Sequence, residues 1–165
     1  LITINMGRPS FNRSEIPMEG TDGRVLNEDL GVDGENWKIT SLLMGVPHTV
    51  TYVDDVDSVD IEKIGPLFEK HEAFPKHTNI NFAQQMDDRT VKVRTWERGA
   101  GATLACGTGS CSVAVASFLN GRTGREVDIQ LPLGTLHIEY REEDGNVYMT
   151  GPAAVSFTGT WPDET

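Results

Sequence analysis

Residues 97–111, Glu-Arg-Gly-Ala-Gly-Ala-Thr-Leu-Ala-Cys-Gly-Thr-Gly-Ser-Cys, carry a dense set of side chains able to do chemistry. Cys106 stands just before Gly107-Thr108-Gly109 and a small, apolar run, 110–119, that predicts a helix starting near Ser110. A helix start leaves its first amides without partners and puts the positive end of the helix dipole there. The amides of Gly107, Thr108 and Gly109 can therefore turn toward the Cys106 sulfur, a setting that lowers a thiol pKa and favours thiolate. The same amides can hold a substrate carboxylate, and glycine lets the backbone approach a ligand that a Cβ would block. On this reading Cys106 is a reactive thiol beside an anion site. The competing reading is a small buried hydrophobe at a helix start.

Other candidates surround it. Glu97 closes a strand before the glycine-rich turn, where it can orient a substrate ammonium or take part in proton transfer; the alternative is a solvated loop carboxylate. Arg98 can bind a carboxylate or form a surface ion pair. His48 follows the turn Gly45-Val46-Pro47 and is a candidate base, although a lone histidine is more often structural. Asn79 and Asn81 fall in a strand, where Asn is depleted, so one of them is expected to face a ligand. Cys111 lies among Ser112, Val113 and Ala114 and reads as packing. A Cys106–Cys111 disulfide is within reach by spacing but would consume the reactive thiol. His71, His77 and His137 read as surface residues. No cysteine pair at zinc spacing and no His-x-x-x-His is present, so no metal site is expected. No serine nucleophile elbow, phosphate-binding loop or pyridoxal lysine context is present either, and no cofactor is expected.

Strands must position these residues. Residues 1–5 alternate apolar and polar and read as a strand. Residues 6–37, with scattered Pro, Gly and charge, read as loop. Residues 38–44 and 48–53 read as strands, and 60–70 as a helix that Gly65-Pro66 interrupts. Strands follow at 78–84 and 90–97, then a flexible turn at Gly99-Ala100-Gly101. The helix after it shows no polar face, which predicts burial on all sides, and Asn120-Gly121 ends it. Four short strands are expected at 126–131, 135–140, 146–150 and 153–159, with a hairpin turn at Glu143-Asp144-Gly145-Asn146. Residues 161–165 read as a frayed polar end. This pattern predicts an α+β fold: a mixed, curved sheet or barrel wrapped around one central buried helix.

Composition narrows the class. With Lys plus Arg at 14 and Asp plus Glu at 25, the net charge of −11 argues against nucleic acid and against an anionic lipid surface as partners. No apolar run is long enough to cross a membrane as a helix. Two cysteines are no disulfide framework, so a reducing, cytoplasmic setting is expected. The chain opens on Leu1 inside an apolar strand, which implies further chain upstream.

The string Glu97-Arg98-Gly99-Ala100-Gly101 followed by Ala105-Cys106-Gly107-Thr108-Gly109-Ser110-Cys111 resembles the signature of diaminopimelate epimerases. Asn5-Met6-Gly7-Arg8-Pro9, Met44-Gly45-Val46-Pro47-His48, Phe74-Pro75, Thr78-Asn79-Ile80-Asn81-Phe82 and Met149-Thr150-Gly151-Pro152-Ala153 agree in order, so the likeness covers 1–159. It implies a cofactor-independent isomerase of lysine and cell-wall biosynthesis. Such an enzyme interconverts LL- and meso-diaminopimelate with two cysteines on opposite faces of one α-carbon. Carried over, Cys106 is one of that pair, Gly107 and Thr108 offer amides to the reacting carboxylate, Glu97 and His48 flank the centre, and Asn79 and Arg98 hold the substrate.

The family has two similar domains, and the first brings the other cysteine in a Cys-Gly-Asn-Gly type motif that this chain lacks. The resemblance therefore implies that 1–159 is the second domain alone, that the segment 153–159 normally crosses to the absent first domain, and that the isolated chain is inactive. A homodimer through this domain is also implied. Val46 stands where the family usually has Asn, Ala102 where Glu is frequent, and Leu133 where Gly is usual. Alternatives are a related two-base enzyme, of the proline racemase or phenazine-pathway type, and a non-catalytic binding domain. Single-cysteine thiol hydrolysis is a further reading, which needs His48 bonded to Cys106.

Overall fold

The computed structural model describes residues 1–162. In chain order its elements are β1 (Ile2–Asn5), β2 (Val25–Val32), β3 (Glu35–Met44), β4 (Val46–Tyr52), α1 (Ile61–Glu69), β5 (Asn79–Gln85), β6 (Thr90–Glu97), β7 (Gly101–Thr103), α2 (Gly107–Leu119), β8 (Glu126–Leu131), β9 (Gly134–Tyr140) and β10 (Val147–Gly151), with a 3₁₀ turn at Val56–Ser58. The strands form one ten-stranded sheet in the order β1-β10-β9-β8-β6-β5-β4-β3-β2, with β7 paired to β6. The sheet keeps two edges, so the expected sheet-or-barrel is a curved open sheet.

Two strand pairs, β4 with β5 and β6 with β8, are parallel; the rest are antiparallel. A parallel pair needs a crossover, and the two helices supply them: α1 lies between β4 and β5, α2 between β6 and β8. They serve opposite faces. Strand side chains alternate, so Ile80 and Phe82 of β5 join Ile61, Ile64 and Phe68 of α1 in one core. Ala83 of β5 and Val91 and Val93 of β6 join Val113, Ala114, Val115 and Ala116 of α2 in the other. The sheet curls around α2, which touches β3, β4, β5, β8, β9 and β10. The expectation of one helix buried on all sides holds for α2, with Ser110 through Ser117 all buried.

Several expectations are corrected. Part of 6–37 is not loop: β2 and the start of β3 form a hairpin through Asp33 and Gly34, both at positive φ (54° and 76°). An Asp-Gly pair suits that turn. The strand is hard to read because a register shift between Val25 and Glu28, with Asn27 at φ 51°, breaks its alternation. Helix α1 runs unbroken through Pro66. Gly65 within it lets Trp96 approach, since a Cβ there would sit 2.6 Å from the indole. The turn at 99–101 ends in the short strand β7. Residues 153–159 carry no strand, having no neighbouring strand to hydrogen-bond; Val155 and Phe157 are 82% and 84% exposed. The frayed end expected at 161–165 falls mostly at 163–165, outside the described residues. No helix among the described residues is long and apolar enough to cross a membrane.

Candidate active site

Helix α2 begins at Gly107, earlier than its apolar run suggests, and its N-cap is Cys106 itself (φ −141°, ψ 109°). The Gly109 amide donates to the Cys106 sulfur over 3.3 Å. Among the described residues, the amides of Gly107 and Thr108 meet no acceptor, and the first turn carries no acidic side chain. Gly109 has to be glycine here, because a Cβ would lie 2.6 Å from Asn81 Oδ1 and 3.1 Å from the Cys106 sulfur.

Sheet register brings the other candidates beneath this turn. His48 of β4 pairs with Asn79 of β5, and Asn81 of β5 pairs with Thr95 of β6. His48 is fully buried. Its Nε2 lies 2.9 Å from Thr108 Oγ1, and that oxygen lies 3.6 Å from the Cys106 sulfur. Asn81 Nδ2 donates to His48 Nδ1 and to the Thr49 carbonyl, both at 3.1 Å, while Thr95 Oγ1 donates to Asn81 Oδ1 at 2.9 Å. The structure thus brings together Cys106, Thr108 and His48, and joins His48 to Cys106 only through Thr108. Direct His–Cys bonding, which the thiol-hydrolysis reading requires, is not present.

Glu97 ends β6 with Oε1 accepting from Thr103 Oγ1 of β7 at 2.7 Å. Asn79 Oδ1 accepts the Arg98 amide at 2.6 Å, and the Arg98 guanidinium donates to the Lys76 carbonyl at 2.9 Å from an exposed position. Of the two strand asparagines, Asn81 is fully committed inside the protein. Three contributors escaped the sequence reading. Thr95 and Thr103 give no local signal, although Thr95 continues an inward-facing row begun by Val91 and Val93. Glu69, 7% exposed, accepts from Trp96 Nε1 at 2.7 Å and from the Gly99 amide at 3.1 Å, and so braces the turn after Glu97. The cue in the sequence is only its place beside Phe68 at the end of an amphipathic helix; its burial shows only in the fold.

Electrostatics correct one expectation. Burial pushes the Cys106 thiol above its ordinary value; the Thr108 and Gly109 hydrogen bonds pull it down without cancelling this, and the Glu97 carboxylate adds to the upward push. The helix start alone therefore does not make a thiolate. Burial, aided by the charge of Arg98, lowers His48 from 6.5 to about 3, so the ring is neutral. Cys111, fully buried in α2, is pushed up to about 12 by burial, and both cysteines are free thiols. No group of metal-ligating side chains exists among the described residues. His71 is half-buried rather than superficial: its Nε2 meets the Gly31 carbonyl at 2.9 Å and its Nδ1 accepts the Ala73 amide. What this arrangement can do is hold an anion at the two open amides beside a free thiol.

Comparison with known proteins identifies the family. The family model described as diaminopimelate epimerase matches residues 40–156. A diaminopimelate epimerase from Pelotomaculum thermopropionicum is 50% identical over the whole chain, which spans 59% of that protein's length. The enzyme of the same name from Moorella thermoacetica is 45% identical over 98% of the chain, spanning 58% of its length. The chain thus spans little more than half the length of these curated relatives. Among solved structures, a hydroxyproline epimerase from Agrobacterium vitis shares the fold with a TM-score of 0.62 at 13% identity, over 89% of this chain and 48% of that one.

Proposed function

This chain belongs to the diaminopimelate epimerase family, and on that premise we propose that residues 1–159 are its second, cysteine-bearing domain. The reaction is inversion of one α-carbon of diaminopimelate between the LL and meso forms, without a cofactor and in the cytoplasm. One thiolate takes the α-proton while a thiol on the opposite face delivers another. Cys106 is one of the pair. Cys111 is buried in α2 and cannot be the other, so the second thiol comes from the part of the enzyme that relatives have and this chain does not span. The remaining 153–159 segment would pair with that part.

The observation that carries this reading is the head of α2, where the Gly107 and Thr108 amides are open beside the Cys106 sulfur. A carboxylate seated on those amides has its α-carbon next to the sulfur, and the amides favour the charge that develops as the proton leaves. Glu97 lies near the sulfur and is suited to the substrate ammonium. Asn79 at the start of β5 and Arg98 in the turn after β6 hold the substrate, and His48 supports Cys106 from below. The raised thiol supports the need for a second domain, which must bring charge or hydrogen bonds that offset burial at Cys106 and that this chain does not supply.

The test is exchange of the α-hydrogen of diaminopimelate in deuterated water, followed by NMR. The complete enzyme exchanges it, and Cys106→Ala loses about 10²–10⁴-fold or more. The 165-residue chain alone does not exchange it. Cys106-dependent exchange by the lone chain overturns the two-domain reading. Exchange of proline but not diaminopimelate by the complete enzyme favours a related racemase.

A further inference from the structure

We propose that Asn81, held by Thr95, is a positioning residue that fixes His48 as the Nε2–H tautomer and thereby turns the Thr108 hydroxyl toward the Cys106 sulfur. The orientation of the Asn81 amide is set by its neighbours. Nδ2 faces the Thr49 carbonyl at 3.1 Å, a contact only an N–H can make, and Oδ1 receives the Thr95 hydroxyl at 2.9 Å. The second Nδ2 hydrogen then points at His48 Nδ1, 3.1 Å away. Nδ1 must accept, so the single proton of the neutral ring sits on Nε2. Nε2–H donates to Thr108 Oγ1 at 2.9 Å, and the Thr108 hydroxyl proton is left to point at the sulfur 3.6 Å away. Every donor in the series Thr95, Asn81, His48, Thr108 faces the same way, and the series ends on Cys106.

The rival arrangement flips Asn81 and moves the ring proton to Nδ1. It would relieve one contact, Asn79 Nδ2 at 3.4 Å from His48 Nε2, which pairs two donors when Nε2 carries the proton. It would also set Asn81 Oδ1 against the Thr49 carbonyl at 3.1 Å, a closer pairing of two acceptors. Asn79 cannot turn to escape, because its Oδ1 holds the Arg98 amide at 2.6 Å. The first arrangement is the better one. It also gives Gly109 a reason: a Cβ at that position would strike Asn81 Oδ1 at 2.6 Å and displace the amide that starts the series. His48 then has no role as the base that deprotonates Cys106, since its free lone pair faces Asn81 and its proton faces Thr108. Its work is to hold Thr108 in a donating pose, so that a thiolate at Cys106 receives two hydrogen bonds, from Thr108 Oγ1 and the Gly109 amide. The charged groups acting on the pair are Glu97 at Cys106 and Arg98 at His48.

That this series serves proton abstraction rests on the epimerase reading; the series itself does not, and its test needs no turnover. Long-range ¹H–¹⁵N NMR on the ¹⁵N-labelled 165-residue chain reads the His48 tautomer directly. The expected spectrum shows an unprotonated Nδ1 and a protonated Nε2; a protonated Nδ1, or a charged ring at neutral pH, overturns the proposal. Iodoacetamide alkylation against pH, with peptide mapping to separate Cys106 from Cys111, reads the sulfur. Thr108→Val keeps the tautomer, moves the Cys106 profile to higher pH and slows alkylation at pH 7 about threefold or more, and Thr108→Ser restores it. An unmoved profile in Thr108→Val overturns the proposal. Asn81→Asp, of the same shape, accepts from Nδ1 and inverts the tautomer. If both readouts come out as expected but the complete enzyme exchanges no diaminopimelate, the functional reading falls and the series stands.

Discussion

The two crossovers of the sheet begin in opposite ways. Helix α1 has an ordinary start: Asp60 caps it, accepting from the Lys63 amide at 3.3 Å, and Glu62 places a second negative charge in the first turn. Its apolar stripe, Ile61, Ile64 and Phe68, packs on an aromatic core in which Phe68 meets Trp37 and Phe82 edge-on at centroid distances of 5.3 and 5.8 Å. Helix α2 has the richer burial and the poorer start. A thiol caps it, no acid sits in its first turn, and two of its amides face nothing. One helix meets its dipole with its own carboxylates; the other leaves its dipole open, where the proposed reading seats a carboxylate. What separates a structural crossover from a chemical one here is what its first turn leaves unsatisfied.

The largest expected effect tests the ground beneath α2. His48 is buried and neutral in the folded chain, with its pKa lowered from 6.5 to about 3, whereas in the unfolded chain it takes up a proton near 6.5. The unfolded state therefore binds more protons between these values, so stability is full above 6.5 and falls as pH drops below it. Between pH 6.5 and about 4.5, where the carboxylates are still ionised, the loss is on the order of 2–3 kcal/mol. Urea denaturation at half-unit pH steps measures it, and His48→Gln removes the slope in that window. An equal slope in the variant would place the acid-sensitive group elsewhere and weaken the contrast between the two helices.

Next comes one closely packed glycine from each helix, Gly65 and Gly109. A Cβ at Gly65 would meet Trp96 at 2.6 Å, and a Cβ at Gly109 would meet Asn81 Oδ1 at 2.6 Å. Each Ala substitution gains helix propensity but overpacks, and a net loss of about 1–3 kcal/mol is expected for both. They differ in the second readout. Gly109→Ala shifts the pH at which Cys106 alkylates, because it moves the hydrogen-bonded series; Gly65→Ala leaves that profile alone. A shift in both would mean that the aromatic side of the sheet also sets the thiol.

How legible all this was depends on where the information sits. Strand β6 was readable because Val91, Val93 and Thr95 alternate cleanly with Lys92, Arg94 and Trp96, and α2 because it shows no polar face. Strand β2 was hidden by the bulge near Asn27, which shifts the alternation by a residue. Residues 153–159 alternate like a strand, yet a strand needs a neighbour and the described residues offer none. Cys106 was readable from its glycine neighbours, while Thr95 was not, since its use depends on pairing with Asn81 across two strands. The direction of the Cys106 shift was misread because dipole and amides are local and visible in sequence, whereas the burial that outweighs them comes from the whole fold.

The smallest effect bears most directly on the comparison, because it exchanges only the caps. Asp60→Ala removes the carboxylate from the Lys63 amide, which keeps only its 3.2 Å bond to the Asp60 carbonyl, and costs about 1 kcal/mol. Cys106→Ser changes little in volume but replaces a weak sulfur acceptor by a hydroxyl, a residue type favoured at this position. The Gly109 amide then has the better partner, and the chain is expected to gain a few tenths of a kcal/mol, or at least lose none. Thermal or urea unfolding of the two variants beside the parent gives both numbers. A Cys106→Ser loss of about 1 kcal/mol or more would show the sulfur to be as good a cap as the Asp60 carboxylate. The idea that α2 gives up stability at its first turn for the sake of a reactive thiol would then fail. If the expected signs appear, the same substitution that strengthens the fold removes the thiol on which the proposed chemistry depends.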